Sequence, residues 1–352
     1  MKENLFIKIF KEDCIDCGIC SKSCFFLEKF GSPLTILNLE NISDIPFHCT
    51  GCGLCTSVCT SGLDPSALFY ELKKDCITNR YDPVVSHGSF LNFEEFGRSV
   101  FATINFIPEN SESVFFPGCS FTGTRPEKVI SIFKEIQKRD KNLGLVLNCC
   151  STPSYSLGLS VKAEEQIRII IEKFKELGIK RIYLACPNCF VMFKRYAPEF
   201  EIKMVFSLFL EYGILFKKRL KNREYTIHDP CVLRNENNLH SDIRNLISLS
   251  GIKVKESDHV KSQTICCGSG AGLTKFDPEL SLKWKKKIIE KSGSLINITY
   301  CSGCQSQIGD SSIHILDLFF DDVKKKKEFP FTYLARIILK LKIFMWKILG
   351  IF

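Results

Sequence analysis

Short apolar runs, rich in valine, isoleucine and aromatic residues, recur along the chain, and each of them ends at or next to cysteine. They occupy residues 114–119, 145–150, 182–189, 225–231, 263–268 and 296–304. A short run of β-branched and aromatic residues that stops at a turn is typical of a buried strand. The pattern therefore predicts strands that deliver cysteines to the loops at their carboxyl ends.

Segments with helical periodicity separate these runs. Apolar residues share one helical face at Val129, Ile130, Phe133 and Ile136, and again at Ile167, Ile170, Ile171, Phe174 and Leu177 before Gly178. A lysine-rich helix is predicted from Leu282 to Ile289, ahead of Gly293. Because strands and helices alternate twice, we expect two repeated α/β domains at residues 111–222 and 223–322. Open α/β sheets hold their sites at the carboxyl ends of the strands, where these cysteines lie.

The remaining segments follow other patterns. Residues 1–85 carry two short, closely spaced cysteine runs, and the polar stretch 86–110 is interpreted as a connection. Residues 323–352 join a lysine run to an apolar stretch. A chain of 352 residues is long enough to give each of these domains a hydrophobic core.

Cysteine is the most informative residue type in this chain, because all but one of the 19 cysteines fall into four sets with two repeated spacings. The amino-terminal residues lack the apolar stretch of a signal peptide. We therefore expect a reducing, cytoplasmic setting in which thiolates bind metal, with the disulfides of a secreted protein as the alternative. The remaining cysteine, Cys76, is expected to be a small buried residue near a helix end.

The first two sets share the spacing C-x2-C-x2-C-x3-C. They consist of Cys14, Cys17, Cys20 and Cys24, and of Cys49, Cys52, Cys55 and Cys59. This spacing is typical of cubane 4Fe-4S clusters, and in two-cluster ferredoxins the fourth cysteine of each run binds the other cluster. By that rule one cubane is bound by Cys14, Cys17, Cys20 and Cys59, and the other by Cys49, Cys52, Cys55 and Cys24. A structural zinc site is the alternative.

Two glycines and two absent prolines mark these loops. Gly18 and Gly53 are expected to contact the cofactor, because the backbone passes close to inorganic sulfide there and a side chain would obstruct it. Proline usually follows the fourth cysteine of this motif, but Phe25 and Thr60 stand in those positions. The ligands are unaffected by this departure, whereas the stiffness of the loops and the cluster potentials are left open.

The other two sets each combine a single cysteine, an adjacent pair and a C-x2-C pair. They are Cys119, Cys149, Cys150, Cys186 and Cys189, and Cys231, Cys266, Cys267, Cys301 and Cys304. This arrangement resembles the CCG, or cysteine-rich, domain of heterodisulfide reductase subunits. The order of two ferredoxin-like runs and two such domains is similar to the D-type subunit of that enzyme. It also resembles the iron–sulfur subunits of glycolate oxidase, lactate-utilisation and anaerobic glycerol-3-phosphate dehydrogenase systems.

The resemblance implies a mixed α+β and α/β architecture. A helical two-cluster ferredoxin-like domain would come first, followed by two α/β CCG domains and a carboxyl-terminal amphipathic helix. The resemblance also implies two further 4Fe-4S clusters of a non-cubane type, each bound by the five cysteines of one CCG set. Ser151 follows the first cysteine pair where the family has glycine, whereas Gly268 follows the second pair. The second site is therefore the better candidate for substrate chemistry.

Three further features near the second CCG set leave alternatives open. Gly268 is expected to let the backbone approach a cluster closely, and a phosphate cradle formed with Gly270 and Gly272 is the alternative. His228 is expected to close a strand-end turn, and a hydrogen bond to a cluster sulfur or a role in carrying protons is the alternative. Since no paired carboxylates, Ser-His-Asp order or nucleotide fingerprint stands out, the catalytic residues stay unassigned.

Charge is concentrated in the last segment of the chain. Eight basic residues and one acidic residue lie at 324–352, so this segment carries +7 of the net charge of +9. The rest of the chain therefore lacks the basic character of a nucleic-acid-binding protein. Residues 331–352 contain too many charges to span a bilayer, and they predict an amphipathic helix at a membrane surface with Arg336, Lys340 and Lys347 on one face. A helix docked on the protein itself or on a membrane subunit is the alternative.

Together these features predict an iron–sulfur oxidoreductase subunit of anaerobic metabolism that transfers electrons through 4Fe-4S clusters. We expect it to be peripheral on the inner face of the cell membrane and to resemble heterodisulfide reductase. A non-catalytic relay between a flavin dehydrogenase and the membrane quinone pool is the alternative. Either function requires a redox partner, such as a flavoprotein or a membrane cytochrome, because no flavin- or NAD-binding motif stands out in this chain.

Overall fold

The computed structural model of the protein describes residues 5–79, 81–218, 220, 223–320 and 332–348. The amino-terminal domain is helical. Its helices are α1 (Leu5–Asp13), α2 (Ile19–Lys22), α3 (Phe25–Phe30), α4 (Pro33–Leu37), α5 (Leu54–Ser57) and α6 (Pro65–Thr78). The longest, α6, begins where Asp64 accepts a hydrogen bond from the Ala67 amide at 2.9 Å and Pro65 fills the first turn. Its buried face, with Leu68, Phe69 and Leu72 among others, supports the cysteine loops.

The segment at 86–110, interpreted from sequence as a connection, contains regular structure. Helix α7 (Pro83–Arg98) begins where Asp82 caps the Val84 amide at 2.8 Å, and strand β1 (Ile104–Phe106) follows it. Strand β1 pairs antiparallel with the next domain's sheet, from Ile104 opposite Leu147 to Phe106 opposite Leu145. The segment is therefore packed into the molecule at both of its ends.

The first α/β domain has the strand–helix alternation expected from its sequence. Its elements are β2 (Ser113–Phe116), α8 (Cys119–Thr124), α9 (Pro126–Gln137), β3 (Gly144–Leu147), α10 (Thr152–Ser156), α11 (Ser160–Glu176), β4 (Arg181–Leu184), α12 (Pro187–Tyr196), β5 (Glu201–Met204) and α13 (Val205–Glu211). The sheet has the order β1-β3-β2-β4-β5, and β2 to β5 are parallel. All four residues of β2 and of β3 are buried, as expected for parallel strands covered on both faces.

The second α/β domain repeats this topology in reduced form. Its elements are β6 (Tyr225–His228), α14 (Asn237–Leu249), α15 (Leu273–Phe276), α16 (Pro278–Ser292), β7 (Ile296–Thr299), α17 (Ser302–Ile308) and β8 (Ser312–His314). Its parallel sheet has the order β6-β7-β8, and a single bridge between Tyr225 and Val254 marks where β3 lies in the first domain. The strand predicted at 263–268 is wrong: this run is an irregular loop after a 3-10 turn at Lys261–Gln263.

One hydrophobic core runs through both α/β domains. Aromatic contacts join them, with the rings of Phe206 and Tyr300 at 5.3 Å and those of Phe209 and Phe319 at 4.8 Å. The helical domain shares its core with the second α/β domain instead. Phe25 of α3 meets Trp284 of α16 edge-on, at a centroid distance of 4.7 Å. The two domains with the most similar sequences thus make different contacts.

The last described helix, α18 (Thr332–Ile348), lies on the first α/β domain. Ala335, Leu339 and Ile343 are buried in this contact, together with Arg336. The helical wheel predicts that Arg336 lies on an outward polar face. In the structure Arg336 points into the protein instead. The part of the chain that the structure describes contains no helix with the length and hydropathy of a membrane-spanning segment.

Candidate metal centres

The loop between α1 and α2, helix α2 itself and the segment after α5 bring four cysteines around one cavity, which we name site A. Cys14, Cys17, Cys20 and Cys59 line it. Gly18 also lines it, in the left-handed conformation (φ 73°) that starts α2. Of these thiols Cys17 is exposed, so site A lies at the surface.

The second cavity, site B, lies deeper in the molecule. Cys24, Cys49, Cys52 and Cys55 line it, and all four are buried. The lining of the two cavities is therefore crossed, since each contains the fourth cysteine of the other run. Gly53 lines site B with φ 71° and starts α5, just as Gly18 starts α2 in site A.

Two buried cations that the sequence analysis missed lie beside site B. Lys73 donates hydrogen bonds to the carbonyl oxygens of Cys49 at 2.8 Å and Ser156 at 2.9 Å, and burial lowers its pKa to about 8. Arg234 donates through Nε to the Cys52 carbonyl at 3.1 Å. Neither residue belongs to a cysteine motif, so no local signal identified them.

The first CCG set, site C, gathers at the carboxyl ends of β2, β3 and β4. Cys119 begins α8, Cys149 and Cys150 follow β3, and Cys186 and Cys189 lie at the start of α12. The Sγ atoms of Cys150 and Cys189 are 3.3 Å apart, and all five cysteines are buried. A hydrogen bond from Cys149, followed by the charge of Arg336, lowers the pKa of Cys119 to about 7 against the effect of burial. A low pKa favours the thiolate, which is the form that binds metal.

Gly118, which immediately precedes Cys119, is a site residue that the sequence analysis missed. A Cβ atom at this position would lie 2.7 Å from Cβ of Cys186 and 2.9 Å from Sγ of Cys189. Its φ of 82° is also in the region that favours glycine. Only glycine therefore lets the loop after β2 pass this close to the C-x2-C pair.

Ser151, the departure from the family pattern, adopts the backbone conformation of the glycine that it replaces. It has φ 63° and ψ 21°, comparable to the φ of 84° at Gly268 in the second set. Its buried hydroxyl accepts a hydrogen bond from Arg98 at 2.8 Å. Arg98 also lies 3.7 Å from the buried carboxylate of Glu94, which binds both the amide and the hydroxyl of Ser154 at 2.7 Å.

The second CCG set, site D, has the same arrangement around β6 and β7. Cys231 follows β6, Cys266 and Cys267 lie in the irregular loop, and Cys301 and Cys304 flank the start of α17. Hydrogen bonds from Cys266 and Cys304 hold the pKa of Cys267 well below its ordinary value despite burial. The amide of Gly268 donates to Sγ of Cys266 at 3.2 Å.

The glycines of the loop at site D are needed for packing. A Cβ atom at Gly268 would lie 2.7 Å from the Ser281 carbonyl oxygen and 3.0 Å from Cβ of Trp284, both in α16. One at Gly270 would lie 2.8 Å from the carbonyl oxygen of Thr50, and one at Gly272 would meet the Phe90 ring at 3.1 Å. The close approach that Gly268 permits is therefore to α16.

His228 and Asp229 lie at the end of β6, next to site D. His228 is buried, its Nε2 makes no hydrogen bond in the described part of the chain, and burial lowers its pKa. Asp229 accepts hydrogen bonds from Arg244 at 2.9 and 3.0 Å and from Tyr300 at 2.7 Å. Asp229 also binds the Lys261 amide at 2.7 Å, and this network fixes the loop that carries Cys266 and Cys267.

Sites B and D touch each other. The neighbouring Cys266 thiol, together with burial, raises the pKa of Cys52 well above its ordinary value. The hydroxyl of Thr50 lies 3.3 Å from Sγ of Cys266. Arg234 joins the same two loops, because its Nη2 donates to the Thr264 carbonyl oxygen at 2.7 Å.

The donor sets fit iron–sulfur clusters. Sites A and B are cavities lined by four thiols each, and amide groups donate to ligand sulfurs at Cys49 (3.4 Å) and Cys266 (3.2 Å), as is usual around such clusters. Among the described residues, no three histidine, cysteine or carboxylate side chains converge on the position of a single ion. Cys76 joins none of these sites and is buried with Phe47, Leu91 and Leu157 near the end of α6.

Comparison with known proteins agrees with this geometry. The 4Fe-4S dicluster domain family matches residues 6–60, and the CCG cysteine-rich domain family matches residues 113–194 and 225–309. These ranges contain all eighteen cysteines of sites A to D. The shared families concern iron–sulfur proteins, so the chain binds iron–sulfur clusters.

Several curated proteins are similar over most of the chain. An uncharacterized iron–sulfur protein of Methanocaldococcus jannaschii is 25% identical in a match that covers 86% of this chain and 63% of the relative. The D-type subunit of the dihydromethanophenazine:CoB–CoM heterodisulfide reductase of Methanosarcina mazei is 25% identical over 69% of this chain and 66% of the relative. The EtfAB:quinone oxidoreductase of Syntrophomonas wolfei is 21% identical over 76% of this chain and 43% of the relative. The chain thus spans less than two thirds of the length of each of these relatives.

Solved structures resemble the chain only weakly. The aspartate racemase of Picrophilus torridus is 14% identical over 58% of this chain and 88% of the racemase, with a TM-score of 0.31.

The two matching families together cover more than half of the chain and contain the cysteines of all four sites. This chain belongs to the family of iron–sulfur proteins in which a 4Fe-4S dicluster domain is combined with a repeated CCG cysteine-rich domain.

Proposed function

We propose that this protein is an electron-transfer subunit of a redox complex, similar to the D-type subunit of heterodisulfide reductase. The observation that carries the proposal is the contact between sites B and D, where the Thr50 hydroxyl lies 3.3 Å from Sγ of Cys266 and Arg234 binds the loops of both sites. Clusters at these two sites would be neighbours without an intervening domain. Electrons would therefore pass between the dicluster domain and the second CCG domain through these loops.

The exposure of the cysteines along this route favours site A as the point at which electrons enter or leave the protein. Site A has the exposed Cys17, whereas the cysteines of site B are all buried, and so are four of the five at site D. A redox partner, such as a flavoprotein or a membrane cytochrome, would exchange electrons at site A. Site D, at the other end of the route, would then exchange electrons with the substrate.

The proposal includes four 4Fe-4S clusters. Sites A and B would hold two cubanes, with Gly18 and Gly53 at the points of close backbone approach. Sites C and D would hold two non-cubane clusters, each bound by all five cysteines of its set. Iron supplies the one-electron chemistry when bound, and the protein sets its position, hydrogen bonding and surrounding charge.

Site D is the proposed position of disulfide chemistry. Its residues could support this chemistry, because His228 has a buried Nε2 without a partner among the described residues and Arg234 places a positive charge beside the same loop. The relay function is the second candidate, and the similarity to an EtfAB:quinone oxidoreductase favours it. In that case this chain would link a flavin dehydrogenase to the quinone pool and turn over no disulfide itself.

We further propose that α18 holds the protein at the cytoplasmic surface of the membrane. The side of α18 that faces away from the protein exposes Leu334, Leu341, Phe344 and Met345. The lysine run at 324–327 precedes it in the sequence and lies outside the described residues. An apolar face beside a polybasic segment suits a surface of anionic lipid.

Magnetic coupling between neighbouring clusters tests the route. Fully reduced protein, prepared without oxygen, should show spin–spin coupling between the clusters of sites B and D in electron paramagnetic resonance spectra. Cys55→Ala, which removes a ligand of site B, should abolish the coupling. Cys149→Ala, which removes a ligand of site C, is the matched control and should retain it. Coupling that survives Cys55→Ala would contradict the proposed path.

Turnover separates the two candidate functions. With reduced methyl viologen as donor, a disulfide reductase should consume a disulfide, and Cys267→Ser should abolish that activity while the clusters of sites A and B still become reduced. Wild-type protein that reduces no disulfide but passes electrons from a flavoprotein to a quinone analogue would establish the relay.

A further inference from the structure

Arg336 is a buried cation on the carboxyl-terminal helix. Its side chain is 1% exposed, and it lies over the rings of Phe93 and Phe96 at 5.6 and 5.2 Å. Its Nε and Nη1 atoms are buried and make no hydrogen bond within the described residues, where no carboxylate lies within ion-pair distance of it either. A guanidinium in such a place is costly unless a negative charge faces it.

The guanidinium faces site C. A Cβ atom at Gly97 would lie 2.8 Å from Nη2 of Arg336 and 3.1 Å from Cβ of Cys149. The guanidinium and the side chain of Cys149 therefore both pack against Gly97. Glu94, a buried carboxylate of this region, is instead engaged by Ser154 and lies 3.7 Å from Arg98.

We propose that Arg336 is the charge partner of the cluster at site C and donates its unused hydrogen bonds to that cluster's sulfur atoms. This inference rests on the proposed function, in which five cysteines hold a four-iron cluster there. Several thiolates around one cluster give a net negative charge, and a buried cation with free donors compensates it. Arg336 is thus a positioning residue that raises the potential of this cluster.

Site D has no equivalent of this residue among the described residues. The arginine next to it, Arg234, uses Nε, Nη1 and Nη2 on the carbonyl oxygens of Cys52, Ser262 and Thr264. Each of its three nitrogen atoms therefore binds backbone, whereas Nε and Nη1 of Arg336 have no partner among the described residues. The two CCG clusters should consequently differ in potential because of a helix that lies outside both CCG domains.

The proposal makes α18 part of site C. Besides Arg336, Lys340 binds the Val100 carbonyl oxygen, and Lys134 lies over the Trp346 ring at 4.6 Å. These two contacts keep Arg336 in register with the cysteines, whereas the solvent-exposed ion pair of Lys342 with Glu127 contributes little. Loss of α18 should therefore alter site C even though the helix supplies no cysteine.

Redox titration of anoxic protein, followed by electron paramagnetic resonance, tests the proposal. In Arg336→Met, the equilibrium constant for one-electron reduction of the site C cluster should fall about tenfold, which equals a drop of ~59 mV in its potential. The site D cluster serves as the internal reference and should not move. Arg336→Lys, which keeps the charge, should recover part of the shift. Lys342→Met, which removes a surface cation of the same helix, should leave both potentials unchanged.

The iron content of the variants distinguishes loss of the site C cluster from a change in its potential. Loss of iron from site C alone in Arg336→Met, with full iron in Lys342→Met and Arg336→Lys, would also support the charge role. Full iron and an unchanged site C potential in Arg336→Met would overturn it, and so would an equal shift at sites C and D. Wild-type protein without a cluster at site C would overturn the proposed function together with this inference.

Discussion

Single residues in this protein hold conformations that their neighbours impose. Ser151 is the clearest case, because it has a left-handed backbone and a fully buried side chain next to Cys150. Its hydroxyl accepts a hydrogen bond from Arg98, which a glycine could not make because it has no side chain. Serine is therefore more strained than glycine in this backbone conformation, but it forms a polar contact between the loop and α7.

Two substitutions separate these contributions. Both Ser151→Gly and Ser151→Ala lose the hydrogen bond with Arg98, but only alanine keeps the strain of the left-handed backbone. Ser151→Ala should therefore be less stable than Ser151→Gly by about 1 kcal/mol in free energy of unfolding. Denaturant titration under anoxic conditions measures this difference, and equal stabilities would show that the backbone here is unstrained.

At the scale of elements, short loops and helix starts position the cysteines. Gly18, Gly53 and Cys186 each directly precede a helix, so that a backbone turn and a ligand occur together. The loop at site D depends in addition on α16, which lies against Gly268. That contact explains why an irregular segment keeps a defined shape.

Gly268→Ala should disrupt this contact. The added methyl group would meet backbone of α16 at 2.7 Å, and the φ of 84° is unfavourable for alanine. We expect a loss of about 2–4 kcal/mol in stability, from overpacking together with backbone strain, and a diminished signal from the site D cluster. Gly293→Ala is the matched control, since it has φ 57° with no atom within 4 Å and should show the strain alone. Equal effects of the two changes would refute the packing argument.

The outward side of α18 carries the membrane proposal. Replacing both Phe344 and Met345 by serine should weaken binding to vesicles of anionic lipid by more than about tenfold, because burying each of these side chains contributes about 1.5–3 kcal/mol. Co-sedimentation measures the change. Ile169→Ser, which alters an exposed apolar residue of α11, should bind like the wild type. Undiminished binding of the double variant would place the membrane contact elsewhere.

At the scale of the whole molecule, contacts between distant segments hold the helical domain on the second CCG domain. Asp277, at the start of α16, accepts hydrogen bonds from Lys29 and from His48 at 2.7 Å each. Although burial opposes ionisation, these contacts and the Leu280 amide keep the pKa of Asp277 below its ordinary value. The same junction contains Phe25 and Trp284, so that sites B and D are held together by packing and by charge.

The cluster inventory is a prediction for the intact chain. Protein isolated without oxygen should contain about sixteen iron atoms per chain, from four clusters of four irons. Iron and acid-labile sulfide analysis measures this directly. About eight irons, with no unusual paramagnetic signal after oxidation, would show that sites C and D hold no clusters.

The cysteine runs could be predicted from the sequence, because the spacing within one run is a local property of the chain. In the two CCG domains, the apolar run before each cysteine predicts a strand that delivers it. The run at 263–268 shows the limit of this argument. Ile265 is buried there without a partner strand, since burial alone does not require a sheet.

Tertiary structure alone decided what surrounds those cysteines. Lys73, Arg234 and Arg336 reach sites B and C from α6, from the turn after Cys231 and from α18, and no spacing rule links them to a cysteine. The helical wheel of α18 suggests an outward Arg336, because a sequence cannot reveal which face another domain covers. The cysteine ligands can be recognised from residues that are close in sequence. The charged and packed residues around them come from distant segments, which meet only when the chain folds.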